Sequence, residues 1–443
     1  MNNCLPVVHI VDAEGVQREQ PKITFQRIHE MFGVRIKPTR ANLNKILNRQ
    51  INLPFNNLIK KEFYKAFNKN TLKTYNSTWK KINKQSNIIF KKSFRDKYKD
   101  SFGNGWIINW NCVDHVNYKA NPQNRGPIGF HKIFDYYSSK IKQLRSIDNV
   151  YFHFHPTPLN NAANKSGNHY FSTSNNIFQI LCRRIIERDW FPSVYRPGFH
   201  IERPDSHWFL EQYIPFDYGN QSYSGYMANG YRFENWEGAT KSWSPYHPDY
   251  KDYRKKGNCK RWIARCLNIG ARLSVLNQKE VNKAFIELKK GKRVILAFTN
   301  HDQKDMLPDF EKTYEMLIKA SKKFKMKFKY FDARNAFRSA MRLRKREKLD
   351  FKIIFKKNII EIFSNHETFG AQPYLAIKDK EGKFYHENFS IIKPYRKWTY
   401  YFDSHSIPLN KIQFFGFASN DDYGNTTIVK INIRKKIVKK RFI

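Results

Sequence analysis

The chain has 443 residues, of which 40% are hydrophobic and 16% aromatic, so it carries far more apolar side chains than a disordered chain. Its 81 basic and 38 acidic residues give a net charge of +43, which would attract polyanions. The basic residues are spread over nearly the whole chain among many Asn, Ile, Phe and Tyr residues, a composition typical of an AT-rich genome. We therefore expect a folded protein with no specific nucleic-acid partner.

The cysteines and the first residues of the chain bear on its compartment. Five cysteines, at positions 4, 112, 182, 259 and 266, include no C-x-x-C pair, which favours reduced thiols over disulfides or a cysteine zinc site. The first residues lead directly into a strand-like segment without the features of a signal peptide, and no apolar run approaches the roughly 20 residues that span a bilayer. These patterns predict a cytoplasmic protein without a membrane span.

The first predicted element is a buried strand over residues 6–11, which ends in the turn sequence Asp-Ala-Glu-Gly. Because alternate residues of an extended chain point to the same side, Asp12 and Glu14 would share one face. Residues 33–105 follow as a helical, polar insertion. The pattern thus predicts two carboxylates at the end of the first strand.

Strand and helix patterns alternate after this insertion. Strands predicted over 106–113 and 150–155 flank a helix over 133–144, and a strand over 293–299 lies between helices that begin near 278 and 308. The succession of strand, helix and strand is typical of a parallel sheet. Residues 1–345 are therefore predicted to form an α/β barrel.

Residues 346–443 have a different pattern. Six short strand-like runs alternate there with segments that contain Gly, Pro, Asn and Asp, the residues that favour turns. This spacing predicts a small C-terminal β-sandwich domain.

The polar residues after the predicted strands are the candidates for catalysis, because functional groups of α/β barrels gather at the C-terminal ends of the strands. His153 and His155 are two residues apart on one strand, so both imidazoles could reach one metal ion, with Glu14 as a third ligand. Asp12 would then act as a general base toward a water molecule, and His301 as a general acid. The sequence thus favours a catalytic divalent metal site.

Other polar and aromatic residues predict a surface that binds carbohydrate. The segment 195–218 is dense in Arg, His, Asp, Trp and Tyr, a composition typical of loops that stack on sugar rings and bind hydroxyl groups. A carboxylate beside His301 would also support its protonation. The residues predicted to bind the substrate are Asp114, His115, Asp205, Trp208, Asp217 and Asp302.

Four short motifs, VDAEG, HFHP, YRPG and FTNHD, occur in this order between residues 11 and 302. In this order they resemble the polysaccharide deacetylase superfamily of carbohydrate esterases, and within it an uncharacterised branch associated with surface-polysaccharide biosynthesis. The resemblance covers about residues 6–335. It implies a distorted TIM-like (β/α)7 barrel in which a divalent metal ion, with Zn²⁺ the first choice, activates water to remove acetyl groups from amino sugars.

The same resemblance implies a role for each matching residue. Asp12 would be the base, Arg196 would orient it, and His301 would protonate the leaving group. The metal ligands would be Glu14, His153 and His155, and the alternative ligands are Asp114, His115 and His169.

Two other functions fit the sequence. A glycoside hydrolase could use two carboxylates, for instance Asp12 and Asp217, without a metal ion. A non-catalytic protein could bind glycans or polyanions through its net charge of +43. A catalytic function requires the polar residues at the strand ends to meet in one cleft. A binding function does not require them to meet.

Overall fold

The computed structural model describes residues 4–17, 21–69, 75–114, 116–117, 128–159, 169–223, 236–270 and 275–443. In these residues, seven parallel strands form a closed barrel in which the last strand pairs again with the first. The strands are β1 (Cys4–Ala13), β2 (Ile108–Val113), β3 (Asn149–Phe154), β4 (Val194–Pro197), β5 (Phe216–Asn220), β6 (Trp262–Asn268) and β7 (Leu296–His301).

An eighth strand, β8 (Lys327–Tyr330), makes the barrel irregular. It pairs with the first half of β1, at Cys4–Val7, whereas β2 pairs with the second half of β1, from His9 to Ala13. One edge of β1 is therefore shared between two strands. The α/β barrel expected from the sequence is confirmed, together with its distortion.

The helices before residue 345 fall into an insertion and a set that follows the barrel strands. Thr39, Asn56 and Thr78 each accept a hydrogen bond from a backbone N–H in the first turn of the helix they precede, which fixes three helix starts in the insertion. Five helices of the described residues lie between β1 and β2, and three of them share a small core of their own. They are α1 (Pro21–Phe32), α2 (Arg40–Leu47), α3 (Asn57–Ala66), α4 (Trp79–Ile89) and α5 (Lys92–Asp96). The later ones are α6 (Lys132–Gln143), α7 (Ser174–Arg188), α8 (Pro204–Tyr213), α9 (Gln278–Lys289), α10 (Leu307–Phe324) and α11 (Ala333–Ala340).

The interior of the barrel is apolar at one end and polar at the other. Alternate residues of the strands, such as Val8 and Ile10 of β1 and Tyr151 of β3, form one buried cluster with Ala336 and Phe337 of α11. This helix closes the end of the barrel from which the strands begin. The next inward-facing positions along the strands are polar, and they lie at the C-terminal end of the barrel.

The C-terminal residues form two antiparallel sheets that share a core, as a β-sandwich does. One sheet contains β9 (Phe351–Lys356), β10 (Ile359–Ser364), β13 (Ser390–Lys393) and β14 (Lys397–Tyr401). The other contains β11 (Tyr374–Asp379), β12 (Phe384–Glu387), β15 (Ile412–Asn420), β16 (Thr426–Asn432) and β17 (Ile437–Phe442). The predicted β domain is therefore present beside the barrel.

The sandwich packs on the barrel through helix α7. Gln179 of this helix donates a hydrogen bond to the carbonyl oxygen of Phe384 at 2.8 Å, and Asn420 donates to the carbonyl oxygens of Pro192 and Tyr213, both at 2.8 Å. These side chains form hydrogen bonds with buried backbone groups across the interface between barrel and sandwich. The interface therefore includes specific polar contacts as well as apolar packing. None of the described helices has the length and apolar character of a membrane span.

Candidate metal centre

Three side chains at the C-terminal end of the barrel converge in the way that a metal ion requires. Oε1 of Glu14 lies 3.1 Å from Nε2 of His155 and 3.6 Å from Nε2 of His153. The two Nε2 atoms are 2.8 Å apart. All three side chains are buried, and each offers one ligand atom to the same point. A carboxylate and two imidazoles form a donor set suited to Zn²⁺ or a similar divalent ion.

Hydrogen bonds orient two of these ligands. Nδ1 of His153 donates to the carbonyl oxygen of Arg196 at 2.9 Å, and since a carbonyl only accepts, the proton of the neutral ring must reside on Nδ1. Its Nε2 is then available as a ligand. Glu14 accepts hydrogen bonds at Oε2 from Gln17 (2.5 Å) and Gln303 (3.2 Å), so its other oxygen, Oε1, is directed at the imidazoles.

Asp302 fixes the turn that carries Glu14. Its carboxylate accepts hydrogen bonds from the backbone N–H groups of Glu14 (2.8 Å) and Gly15 (3.1 Å) and from the hydroxyl of Tyr137 (2.8 Å). Gly15 has a φ of +74°, and an added Cβ would lie 3.3 Å from the ring of Trp79, so this turn requires glycine. Burial raises the pKa of Asp302 to about 7, although the hydrogen bonds from Glu14, Tyr137 and Gly15 lower it.

Asp12 lies between a cation and a histidine. Its Oδ1 is 3.5 Å from Nε of Arg196, and its Oδ2 is 3.8 Å from Nε2 of His301. The same His301 nitrogen is 4.0 Å from Oε1 of Glu14, so Asp12 and the three metal-ligand candidates form one group with His301. Arg196 also donates to the carbonyl oxygen of Tyr218.

His301 is the accessible member of this group. Its side chain is 21% exposed, whereas those of Asp12, Glu14 and His153 are at most 2% exposed. Burial lowers the pKa of His301, the carboxylates of Glu14 and Asp12 raise it, and Lys304 lowers it. A substrate would therefore approach this group from the side of His301.

Asn111, which no sequence motif singles out, lies beside Asp12. The two residues are paired in register on β2 and β1, and neither amide atom of Asn111 has a hydrogen-bond partner in the described part of the chain. Asn109, two residues earlier on the same face, reaches the backbone of Ala333 at the closed end of the barrel, so both amides face the interior. The sequence pattern that could have identified Asn111 is the pair of asparagines at alternate positions of an otherwise apolar strand.

The structure does not place Asp114 and Asp302 where a substrate could reach them. Asp114 is buried and forms an ion pair with Arg184 at 2.8 Å, while Asp302 is buried in the turn described above. Burial raises the pKa of Asp114 to about 7, and Arg184 opposes this rise. Both carboxylates are bound inside the fold, so substrate binding by Asp114 or Asp302 stays a prediction that the geometry does not favour. Asp302 also contacts the turn of Glu14 rather than supporting the protonation of His301.

Asp217 points out of the barrel. Its neighbours Phe216 and Tyr218 line the interior with Val8, so Asp217, between them on β5, faces the other side of the sheet. There its Oδ2 lies 3.2 Å from Nε of the buried Arg261. It neither binds a substrate in the barrel mouth nor forms a catalytic pair with Asp12, whose side chain points inward.

The remaining predicted residues lie on and around helix α8. Asp205 accepts a hydrogen bond from the backbone N–H of Phe171 at 2.7 Å and lies 3.5 Å from Nδ1 of His169, which pairs with this carboxylate rather than with the metal-ligand group. Trp208 is 48% exposed, and its ring lies nearly parallel to that of Tyr250, with 20° between the planes. His115 lies outside the described residues.

Comparisons with known proteins add little to this picture. No protein-family model matches the chain, and no curated protein is significantly similar to it. Two solved structures of an endo-β-1,4-mannanase from Cellulomonas fimi, a double mutant and a modular glycoside hydrolase family 26 mannanase, each have 9% identity and a TM-score of 0.20. The alignments cover 79% and 80% of this chain and 68% of each mannanase chain. A TM-score of 0.20 supports no conclusion about fold or function.

Proposed function

We propose that this protein is a metal-dependent hydrolase that removes an acetyl group from a sugar or a polysaccharide precursor. The observation that carries the proposal is the convergence of Glu14, His153 and His155 next to Asp12 and His301. These residues lie in β1, β3 and β7 or within one residue of their ends, so the closed barrel brings them together. A protein that only bound glycans would not need this arrangement.

The metal-ligand candidates fit a divalent ion in donor chemistry and in support. His153 and Glu14 each have their second polar atom held by hydrogen bonds, which is how the outer shell of a metal site orients its ligands. When bound, such an ion would act as a Lewis acid that makes a water molecule acidic enough to be deprotonated near neutral pH.

Asp12 and His301 would move the protons of the reaction. Asp12 would take the proton of the attacking water, and its Oδ1 lies 3.5 Å from Nε of Arg196, which would orient it. His301, 3.8 Å from Asp12, would deliver a proton to the leaving amine or hydroxyl of the sugar.

The carbohydrate part of the proposal has two supports. One is the order of the four motifs, which resembles that of the polysaccharide deacetylase superfamily and covers Asp12, Glu14, His153, His155, Arg196 and His301. The other is the exposed pair of Trp208 and Tyr250, since aromatic faces of this kind stack on sugar rings.

The experiment that tests the proposal measures bound metal and acetate release on the same protein. We expect about one equivalent of Zn²⁺ or a similar ion by elemental analysis, and acetate release from at least one member of a panel of acetylated sugars and glycans. The double variant His153→Ala, His155→Ala should lose both the bound metal and the acetate release. His405→Ala, in an exposed loop, should change neither quantity. Active protein without a bound metal would reject metal dependence, and release of reducing sugar ends without acetate would replace the deacetylase by a glycosidase.

A further inference from the structure

A large basic groove lies on the same end of the barrel as the candidate metal centre. It has a volume of about 1210 Å³ and runs between the insertion helices α2 and α3 and the segments that follow β6 and β7. This exceeds the roughly 300–1,000 Å³ of a typical small-molecule pocket, so the groove has room for a chain of several units. Its cationic lining residues are Arg49, Lys60, Lys61, Lys65, Lys69, Lys304 and Lys312.

Several of these cations are not neutralised by neighbouring acids. Within the described residues, no carboxylate lies within ion-pair distance of Lys60, Lys61, Lys69 or Lys312, and Asp305 and Asp309 are the acidic residues of the lining. Like charges from two walls of a concave surface reinforce one another and attract anions. The groove is therefore suited to a ligand that carries several negative charges.

The groove adjoins the turn that follows β7, the strand that carries His301. Lys304, on the groove wall, follows His301 by three residues, and its backbone N–H donates to the carbonyl oxygen of His301 at 3.2 Å. Asp309, also on the wall, accepts a hydrogen bond at 2.9 Å from Asn300, whose side chain faces helix α10 outside the barrel. The turn that follows His301 is thus shared by the groove and the strand that ends at the metal-centre group.

The lining favours an acidic polysaccharide over a nucleic acid. Single-stranded nucleic acids stack their bases on exposed aromatic rings, and in the described lining the aromatic residue is Tyr64, which has Arg49 over its ring at 5.6 Å. The cations are almost all lysines, which bind carboxylates as point charges without the planar geometry that reads bases. Sugar carboxylates need no stacking surface.

We propose that this groove binds a stretch of an acidic polysaccharide and so brings an acetylated sugar of the same polymer to His301. The proposal rests on the proposed function, for which it names the substrate class. It assigns the binding of the polymer to lysines of α3 and α10, outside the metal-centre group.

The test measures binding of labelled oligogalacturonate by fluorescence polarisation, which needs no turnover. Lys61→Glu, Lys65→Glu and Lys312→Glu together reverse three exposed charges of the groove, and Lys352→Glu, Lys357→Glu and Lys393→Glu make the same change on the sandwich. We expect the groove variant to bind at least about tenfold more weakly and the sandwich variant within about twofold of the unaltered protein. A neutral cello-oligosaccharide should not bind.

Three results would overturn the proposal. The first is equal weakening of oligogalacturonate binding by both variants, which would assign binding to net charge alone. The second is that the unaltered protein does not bind oligogalacturonate. The third is that the unaltered protein binds single-stranded DNA more tightly than oligogalacturonate and the groove variant loses this DNA binding. Thermal unfolding of both variants identifies a folding defect, and replacing the same groove lysines by Gln gives a milder variant that should still weaken binding.

Failure of this proposal can be distinguished from failure of the proposed function. The His153→Ala, His155→Ala protein should keep its affinity for oligogalacturonate, because the groove lysines remain. In steady-state kinetics the groove variant should raise KM for acetylated polygalacturonate, and the sandwich variant should leave this KM unchanged.

Discussion

The Nδ1 atom of His153 donates its proton to the carbonyl oxygen of Arg196, 2.9 Å away on the neighbouring strand. One residue of β4 thus serves two functional groups, since its backbone orients a metal-ligand candidate and its side chain lies 3.5 Å from Asp12. The position of Asp12 relative to His153 is therefore set by the pairing of strands. Such a site is pre-organised, because ladder hydrogen bonds hold it before any ligand arrives.

Gln17 and Gln303 should act on the metal through Glu14. They bind the Glu14 oxygen that does not face the imidazoles, so replacing both by Ala should let the carboxylate rotate and lower the affinity for Zn²⁺ by about 10–100-fold. Competition with a fluorescent chelator measures this affinity. Gln413→Ala, on an exposed position of the sandwich, is the control and should leave it unchanged. Undiminished affinity in the double variant would show that Glu14 needs no such support.

Replacing Asp12 by Asn should separate chemistry from metal binding. The amide cannot accept the proton of a water molecule, so kcat should fall by roughly 10²–10⁴-fold, while the zinc content stays that of the unaltered protein. Acetate release and elemental analysis on the same preparation check both expectations. Glu381→Gln, an exposed substitution on the sandwich, should alter neither quantity. An undiminished rate would remove Asp12 from the mechanism.

Asp302 should prove to be a positioning residue. Asp302→Asn weakens the hydrogen bonds to the turn of Glu14 and to Tyr137, so we expect a loss of about 1–3 kcal/mol in the free energy of unfolding and about tenfold weaker metal binding. Tyr137→Phe removes one of these hydrogen bonds without touching the turn, and it should lower stability by about 1 kcal/mol with unchanged metal affinity. Urea unfolding and metal titration distinguish the two variants; equal metal affinities would contradict the role given to Asp302.

The elements with long apolar runs could be predicted from sequence. The strand expected over 6–11 is the central part of Cys4–Ala13, and the one expected over 150–155 is Asn149–Phe154. By contrast, β4 spans four residues and β5 spans five, which is too short for a periodic signal. All five residues of β5 are buried, so no alternation of polar and apolar residues shows which way Asp217 points.

The sequence could predict which side chains converge at the site, but not the contacts that hold them in place. Asp12, Glu14, His153, His155 and His301 could be selected because each follows or ends a predicted strand. The insertion, in contrast, holds the site through Asn76, which bonds the backbones of Gln17 and Gln303. The side chain of Asn76 also donates to the carbonyl oxygen of Asp302, 226 positions away, and no local pattern in a single sequence predicts such a contact.

Stability should decrease in acid partly because of His9, which is buried between the barrel wall and helix α10. Its Nδ1 accepts a hydrogen bond from Nε1 of Trp106 at 3.0 Å, and its Nε2 lies 3.0 Å from Oδ1 of Asn300, so the neutral ring satisfies both partners. Burial lowers the pKa of His9 from 6.5 to about 4, and the hydrogen bond to Asn300 opposes this shift. Between these values the unfolded chain binds a proton that the folded protein does not.

The free energy of unfolding should therefore fall as the pH decreases from 7 to 4, and His9 alone should account for about 3 kcal/mol of that fall. His9→Gln cannot take up a proton, so its stability should depend less steeply on pH by this amount, even if the variant is less stable at pH 7. Urea unfolding at several pH values measures the difference. His405→Gln, in an exposed loop, should follow the unaltered protein, and parallel curves for the protein and the His9→Gln variant would show that His9 is not the group that titrates.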